Sequence, residues 1–343
     1  MDETIALNRL RAARADIATP REALPEPLMA ADIERAIGPV RSWELLLRNR
    51  NSRLYRIILP DGQILIAKQS SSRSTETVVT EYEFLQQLAA LGIGVSDPRA
   101  LLLDRRAYVM TAVGGRSIAS LVRDGEDART IEAACRAAGE TLARVHHGWL
   151  QEWRPLDPSS LMADFEAAPG LTVPDRHALA AACDRIAGMR VSFGQCYLDF
   201  DPANVFFAEG HASLIDAPEL RVCELQAWDV GTFTAGLRRA LWKQPFGRFE
   251  RANAARRGRA AFEESYRREM GTQGPEREWR TLVSLMEFAR VSQLLIWQSR
   301  PAARMERALR SLAARFVSVP LLRRERRAVL TGLSKMTDEQ CGC

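Results

Sequence analysis

The sequence predicts an α+β fold of two lobes, a small antiparallel β-sheet with one helix followed by a larger, mainly helical lobe. Short runs rich in Ile, Leu, Val and Tyr dominate between about residues 43 and 113, which is typical of strands. Helical periodicity dominates from residue 114 onward. A chain of 343 residues is long enough for two such lobes, and ligands often lie in the cleft between them.

The first lobe is predicted to contain three strands, a helix and a fourth strand over residues 43–113. The strands are the runs WELLLRN, RLYRIILP, QILIAKQ and AYVMTAV, and the turn PDG at 60–62 joins the second and third as a hairpin. Between the third and fourth strands, TETVVTEYEFLQQLAALG spaces its apolar residues as a helix does, and Gly92 ends it. Residues 1–42, which are broken by prolines, are interpreted as an N-terminal helical arm.

The second lobe is predicted over residues 114–299. RTIEAACRAAGETLARVHHGWL is expected to be a long amphipathic helix, and three more helical segments follow residue 225. Two short strands joined by a turn are expected to interrupt the helices within residues 197–216. The apolar stripe of LVSLMEFARVSQLLIW is interpreted as core.

Composition favours a soluble, cytoplasmic protein. Hydrophobic residues make up 46% and charged residues 27% of the chain, and no apolar run approaches the roughly 18 residues that a membrane-spanning helix needs. The N-terminus is charged and lacks the apolar core of a secretory signal. The six cysteines are scattered, apart from the closing Cys-Gly-Cys, and show no metal-ligand spacing, which favours a reducing compartment.

The basic charge is concentrated in the C-terminal segment, residues 300–343. Arg300 to Lys335 contains nine arginines and one lysine against two glutamates, a net charge of +8 in a chain whose total is +5. Charge confined in this way argues against a nucleic-acid partner. A basic amphipathic helix could make peripheral contact with an anionic inner membrane face through residues 300–335. The alternative is an Arg-rich helix that covers the large lobe, and Pro320 is expected to break it.

Oxygen-bearing side chains cluster in YLDFDPANVFFAEGHASLID, residues 197–216. Asn204 and Asp216 would offer an amide oxygen and a carboxylate from neighbouring strands, and Mg²⁺ prefers hard oxygen ligands together with substrate phosphates. Asp199 would lie across the turn, where it could accept a proton from an attacking hydroxyl. The alternative is turn chemistry, since Asp, Asn and Pro are ordinary turn residues.

A lysine and a glutamate form a second candidate pair. Lys68 lies late in the hydrophobic strand ILIAKQ, and Glu81 lies on the helix that follows. A lysine that faces inward needs a partner, and the glutamate would hold it toward phosphate oxygens if the helix packs on the sheet. The alternative is a solvent-facing lysine at a strand end and a glutamate on the helix surface.

The order of these features resembles the protein-kinase-like superfamily, and most closely its aminoglycoside phosphotransferase and choline kinase branch. That branch usually has the catalytic loop His-Gly-Asp-x-His-Pro-x-Asn, and YLDFDPAN keeps Asp199, Pro202 and Asn204 in register. LARVHHG, AWDVGTF and AFEESYRREMG also agree, and the resemblance covers roughly residues 43–300. It implies a two-lobed protein-kinase-like fold, with nucleotide bound by the first lobe and the catalytic loop, metal site and acceptor pocket in the second.

The resemblance also implies roles for individual residues. Lys68, steadied by Glu81, would contact the phosphates of ATP or GTP, and Asp199 would orient or deprotonate the acceptor hydroxyl. Mg²⁺ would be held by Asn204 and Asp216. The other implied nucleotide contacts are the phosphate-loop residues Asn51 and Ser52 and the hinge residues Thr111, Ala112 and Val113. The implied activity is transfer of the γ-phosphoryl group to a hydroxyl of a small-molecule, sugar or glycan acceptor.

The sequence departs from the family pattern beside Asp199. Tyr197 and Leu198 stand where His and Gly are usual, and Asp201 replaces the second His. Asp201 could raise the pKa of Asp199, bind a second cation or meet a basic acceptor. The phosphate loop RNRNSRLYRI has no glycine, so its backbone approaches phosphates less freely. Two alternatives therefore stay open, a nucleotide-binding pseudokinase or scaffold and a kinase-fold enzyme that transfers AMP.

Overall fold

The computed structural model describes residues 26–48, 52–70, 74–166, 168, 170–216, 223–241, 248–272, 274–298 and 305–338. The predicted two-lobed α+β fold is confirmed, with a five-stranded antiparallel sheet in the first lobe and mostly helices in the second. Most of the predicted N-terminal arm, residues 1–25, lies outside the described residues, as does Asn51.

The first lobe is a sheet of strand order β1-β2-β3-β5-β4. Its elements are α1 (Ala30–Ile37), β1 (Ser42–Arg48), β2 (Ser52–Ile58), β3 (Ile64–Ser70), α2 (Thr75–Ala90), β4 (Pro98–Leu102) and β5 (Ala107–Thr111). The predicted hairpin joins β2 to β3, and Gly62 takes a φ of +88° in its turn, a conformation that favours glycine. The pattern analysis missed β4, a five-residue edge strand that begins at a proline and lacks apolar alternation.

Helix α2 packs on this sheet, as predicted. Ser74 caps its N-terminus by accepting a hydrogen bond from the Thr77 N–H at 3.3 Å, and Gly92 follows its last turn with a φ of +67°. The buried face contains Val78, Phe84, Leu85, Leu88 and one charged residue, Glu81. That face brings the Glu81 carboxylate to the sheet beside β3 and β5.

The second lobe consists mainly of helices, with two small sheets among them. Its elements are β6 (Arg116–Ser117), α3 (Ile118–Asp124), α4 (Ala128–Gly148), β7 (Leu150–Pro155), α5 (Ser159–Glu166), α6 (Val173–Ile186), β8 (Arg190–Gln195), β9 (Val205–Ala208), β10 (His211–Leu214), β11 (Cys223–Leu225), α7 (Ala227–Ala240), α8 (Arg248–Met270), α9 (Glu276–Gln298) and α10 (Met305–Asp338). The short strands form two three-stranded sheets, β10-β9-β6 and β11-β8-β7, and the helices make up the rest. Sequence patterns predicted the hairpin β9–β10 but not the second sheet, because strands of three to six residues show too little periodicity.

An aromatic core holds the helices of the second lobe together. Phe233 of α7 stacks on Phe262 of α8, with ring centroids 4.0 Å apart, and Phe200 packs edgewise and tilted against its neighbours. All three side chains are fully buried. Burial of each phenylalanine stabilises the fold by roughly 1.5–3 kcal/mol. Because Phe200 lies in the loop before β9, the same core anchors the segment that carries Asp199.

The prediction that Pro320 breaks the C-terminal helix is wrong, since α10 continues through it. A proline inside a helix costs about 3 kcal/mol through a lost hydrogen bond and a steric clash. Packing offsets this cost, because Val319 and Leu322 on either side are buried in a cluster with Val291 and Leu295 of α9. The described part of α10 therefore covers the large lobe, in agreement with the alternative to membrane contact. No helix among the described residues is long and apolar enough to cross a membrane.

One acid of α10 is buried without a hydrogen-bond partner among the described residues. The Glu325 side chain is 2% exposed, and neither carboxyl oxygen has a donor within reach. Burial raises its pKa to about 8, with Glu287 and Asp201 adding to the rise and Arg239 and Arg238 opposing it. The folded protein therefore holds this carboxyl protonated at neutral pH.

Glu325→Gln is expected to raise the free energy of unfolding at alkaline pH and to change it little near pH 4.5. The unfolded chain ionises near the ordinary pKa of 4.5, so the wild type loses stability as the pH rises from there to about 8. An amide cannot ionise, and the gain is at most about 5 kcal/mol at 1.4 kcal/mol per pKa unit. Urea unfolding across this pH range measures it. Glu264→Gln, at an exposed position on α8, is the control, and a pH-independent difference would contradict the assignment.

Candidate functional site

Lys68 and Glu81 form a buried ion pair in the first lobe. The Lys68 ammonium lies 3.1 Å from Glu81 Oε2, and the two side chains are 9% and 2% exposed. Tyr108 lies on β5 opposite Lys68 of β3, and its hydroxyl donates to the same Glu81 oxygen at 3.2 Å. A buried charge needs such partners. The structure therefore brings together the strand lysine and the helix glutamate that the sequence singled out.

The same ammonium reaches across to the second lobe. Lys68 Nζ lies 2.5 Å from Asp216 Oδ1, and the Asp216 side chain is 33% exposed. The segment after α2 supports this contact, because Gly94 accepts a hydrogen bond from the Leu214 N–H at 2.8 Å and Ser96 donates to the Leu214 carbonyl at 3.1 Å. A Cβ at Gly94 would lie 2.8 Å from the Ser213 hydroxyl, so this close approach favours glycine.

The hairpin β9–β10 sets Asn204 and Asp216 beside each other. Val205 pairs with Leu214 at its open end, and the Ile215 N–H donates to the Asn204 carbonyl at 3.2 Å. Asn204 and Asp216 flank the two strands at this end. Their amide oxygen and carboxylate are hard donors of the kind that Mg²⁺ takes, together with phosphates and water. The described residues contain no cluster of three or more His, Cys, Asp or Glu side chains that could hold a metal without such additional ligands.

The loop that carries Asp199 alternates between core and cleft. Tyr197 and Phe200 are buried at 1% and 0% exposure, whereas the Asp199 side chain between them is 55% exposed. Leu198 has a φ of +72°, a left-handed conformation that is strained for a non-glycine residue. This left-handed backbone explains why the family pattern usually has a glycine at the position that Leu198 occupies here.

Asp229, at the start of α7, holds this loop in place. Its fully buried carboxylate accepts the Tyr197 N–H at 2.6 Å and the Leu198 N–H at 2.7 Å. His146 Nε2 lies 3.0 Å from the same carboxylate, and its Nδ1 lies 2.9 Å from the Tyr266 hydroxyl. Asp229 therefore braces the loop that carries Asp199, and His146 is buried while His147 is exposed.

Two side chains donate hydrogen bonds to the carboxylate of Asp199. Arg290 of α9 donates to Oδ1 at 2.6 Å, and the Asn204 amide donates to Oδ2 at 3.1 Å. Desolvation by the surrounding protein raises the pKa of Asp199. The negative charges of Asp201 and Asp216 raise this pKa further, and the positive charge of Arg290 lowers it. Solvent reaches the open side of the carboxyl, which limits the effect of desolvation.

Asp201, the unusual acid of this loop, is already paired. Its Oδ2 forms an ion pair with Arg239 of α7, and its Oδ1 accepts the Ala203 N–H at 3.0 Å. Helix α7 approaches closely here, since a Cβ at Gly236 would lie 2.3 Å from the Pro202 ring. Asp201 raises the pKa of Asp199, so that one of the three expected effects is present.

Of the predicted nucleotide-contact residues, Ser52 and Thr111 belong to strands of the first lobe, and Ala112 and Val113 follow the second of these strands. Ser52 begins β2 opposite Ser70 and is 7% exposed, whereas Asn51 falls outside the described residues. Thr111 ends β5, and its N–H donates to the Asp97 carbonyl at 2.9 Å. Ala112 and Val113 follow, and the Ala112 N–H donates to Ile64 at 3.2 Å.

Sequence reasoning missed Arg290. It lies on the helix interpreted as apolar core, and that helix does bury Leu282, Leu285, Met286, Phe288 and Val291. Glu287, Arg290 and Gln293 are buried on the same helix. A charged residue inside an otherwise apolar stripe requires a buried partner, and this signal was available in the sequence.

A family model described as the phosphotransferase enzyme family matches residues 42–266. A search of curated proteins gives no match. Among solved structures, the chain is similar to the amicoumacin kinase hAmiN in complex with AMP-PNP, Ca²⁺ and Ami (14% identity, 84% of this chain and 88% of that chain covered, TM-score 0.52).

Two further structures have the same TM-score of 0.52. An aminoglycoside phosphotransferase from Alicyclobacillus acidocaldarius is 16% identical, with 92% of this chain and 98% of that chain covered. A choline/ethanolamine kinase family protein from Mesorhizobium loti is 14% identical, with 90% and 95% covered. These likenesses show that the chain shares its fold with these kinases and phosphotransferases, and the family model covers well over half of the sequence. The chain belongs to the phosphotransferase enzyme family.

Proposed function

We propose that the protein is a Mg²⁺-dependent kinase that moves the γ-phosphoryl group of ATP to a hydroxyl of a small-molecule or sugar acceptor. One observation carries the proposal: the first lobe's ammonium, Lys68, meets Asp216 of the second lobe beside Asn204 and the Asp199 loop. A cation and three oxygen-bearing side chains from two lobes are the parts that phosphoryl transfer needs, since its catalysis is chiefly positioning and charge stabilisation.

Each side chain would have a distinct task. Lys68, held by Glu81, would bind phosphate oxygens, and Asp199 would orient the acceptor hydroxyl and accept its proton. Because Asn204 donates its NH₂ to Asp199, its amide oxygen is directed away from that carboxylate and fits a metal-binding role with Asp216. Mg²⁺ held by these two residues would neutralise phosphate charge during transfer.

The hinge would bind the nucleotide base through its backbone. The N–H groups of Thr111 and Ala112 are already used within the first lobe, so Val113 is the hinge residue proposed to donate to the base. The AMP-PNP in the amicoumacin kinase structure supports an adenine nucleotide. GTP stays a sequence-based alternative.

Neighbouring proteins support a small acceptor. The similar structures are named as an amicoumacin kinase, an aminoglycoside phosphotransferase and a choline/ethanolamine kinase family protein. We propose an acceptor of that size, bound beside Asp199 on the open side of the loop.

Asp199→Asn and Asp216→Asn are expected to abolish most of the ATP consumption. Loss of the general base lowers kcat by about 10²- to 10⁴-fold, and loss of the metal-binding carboxylate weakens the use of Mg·ATP. Consumption is measured with water and with a panel of sugars and amino alcohols as acceptors, and mass spectrometry of products distinguishes a gain of phosphate from a gain of AMP.

Asp184→Asn is the matched control for these variants, because Asp184 is exposed on α6, away from the site. It should behave as wild type. Equal and negligible turnover by the wild type and both site variants would contradict the kinase proposal and favour a pseudokinase or scaffold.

Glu81→Gln is expected to reduce kcat/KM for ATP by roughly tenfold or more. The variant loses the charge that holds Lys68 in place, and a hydrogen bond to a charged group contributes about 1.5–3 kcal/mol. Initial rates at varied ATP concentration measure it. Glu76→Gln, at an exposed position of the same helix, provides the comparison, and an equal effect of both changes would argue against a nucleotide-binding role for the pair.

A further inference from the structure

We propose that Arg290 of α9 is a positioning residue for the proposed phosphoryl transfer, where its guanidinium holds the catalytic carboxylate of Asp199 turned toward the acceptor. This inference rests on the proposed function and deepens it. It assigns a role to a residue 91 positions beyond Asp199, on a helix that carries none of the family's motifs.

The Arg290 side chain is buried and held by two hydrogen bonds, whereas the Asp199 side chain is exposed. The Arg290 side chain is 7% exposed, and its Nη1 donates to Gln293 Oε1 at 2.8 Å, one helical turn further along α9. Its Nη2 donates to Asp199 Oδ1 at 2.6 Å. A buried, doubly engaged guanidinium is a fixed point from which the 55%-exposed Asp199 side chain is held.

Each carboxylate oxygen of Asp199 accepts a hydrogen bond from a different side chain. Arg290 donates to Oδ1, and the Asn204 amide donates to Oδ2 at 3.1 Å. Together they determine the direction of the carboxylate. An ionised carboxylate has about four lone-pair sites, so it can still accept a hydrogen bond from a substrate hydroxyl.

The charges around Asp199 show why a cation is needed there. The groups that face it are Arg290 from α9, Asp201 from its own loop and Asp216 after β10. The charge of Asp201 is itself paired with Arg239. Arg290 therefore supplies the positive charge that faces this carboxylate.

The proton has a defined destination in this step. The acceptor's O–H proton passes to Asp199 as the acceptor oxygen forms a bond to the γ-phosphorus. The bond from that phosphorus to the bridging oxygen breaks, and its electron pair leaves on the nucleoside diphosphate. Arg290 does not touch the reacting atoms, and its effect is exerted through Asp199.

Other arginines of this region already have acids of their own. Arg238 and Arg259 both pair with Glu287 of α9 at 2.7 Å, one turn before Arg290. Taking a charge out of water costs several kcal/mol unless it is paired, and the half-buried Arg238 and Arg259, like the buried Arg290, are each matched to a carboxylate. The acid that matches Arg290 is the catalytic one.

The test compares Arg290→Gln, Arg290→Lys and the matched control Arg280→Gln, on the same helix, whose guanidinium is 63% exposed and pairs with Glu276. The probe is Mg·ATP with water as the acceptor, and kcat and KM are measured separately. Arg290→Gln should lower kcat at neutral pH by about 10- to 100-fold with little change in the KM for ATP.

Arg290→Lys should fall between the wild type and Arg290→Gln, since it keeps the charge without the guanidinium fork. Arg280→Gln should match the wild type. An unchanged kcat in Arg290→Gln, with an active wild type, would overturn this inference alone. A wild type that consumes no ATP would overturn the proposed function and this inference with it. If Arg290→Gln does not fold, Arg290→Lys decides, and wild-type kcat in that variant would also overturn the inference.

A second measurement is independent of activity. Urea unfolding of Asp199→Asn, Arg290→Gln and the double variant forms a double-mutant cycle. The combined loss of stability should be smaller than the sum of the single losses, because each single change leaves a charged or polar partner unmatched. Additive losses would show that the contact does not couple the two residues and would overturn the inference.

Discussion

The buried carboxylate of Asp229 is the constraint on which the candidate site depends. It accepts the N–H groups of Tyr197 and Leu198, and a carboxylate without solvent must find such donors. The loop therefore takes a conformation in which Leu198 has a φ of +72°, at a cost of about 1–3 kcal/mol. The next residue is Asp199, which this arrangement directs to the open side of the loop.

Local patterns in the sequence were sufficient for the fold and for part of the site. The hydrophobic strand before Lys68, the helix around Glu81 and the spacing of Asp199 and Asn204 are short-range features, and the structure brings the first pair into contact. The continuation of α10 through Pro320 could not be predicted, because it depends on packing against α9. Strands as short as β11 also carry too little periodicity to be recognised.

The residues that sequence reasoning missed act through tertiary contacts. Arg290 and Asp199 are far apart in the chain, and only the packing of α9 beside the Asp199 loop brings them within 2.6 Å. Arg238, Arg259 and Glu287 belong to three helices and likewise meet only in the fold. Helical periodicity identifies the buried face of α9 but not the acid that each buried arginine contacts. A buried charge in an apolar stripe indicates that a partner exists without indicating which one.

Lys68 is shared between Glu81 and Asp216, and this sharing has a thermodynamic consequence. While the ammonium occupies Asp216 Oδ1, that oxygen is a poor ligand for a divalent ion. Nucleotide phosphates that attract the ammonium would release the carboxylate, and a cation that draws the carboxylate away would release the ammonium. By linkage, each partner would then tighten the binding of the other by the same factor. The cleft would thus favour the loaded pair over either component alone.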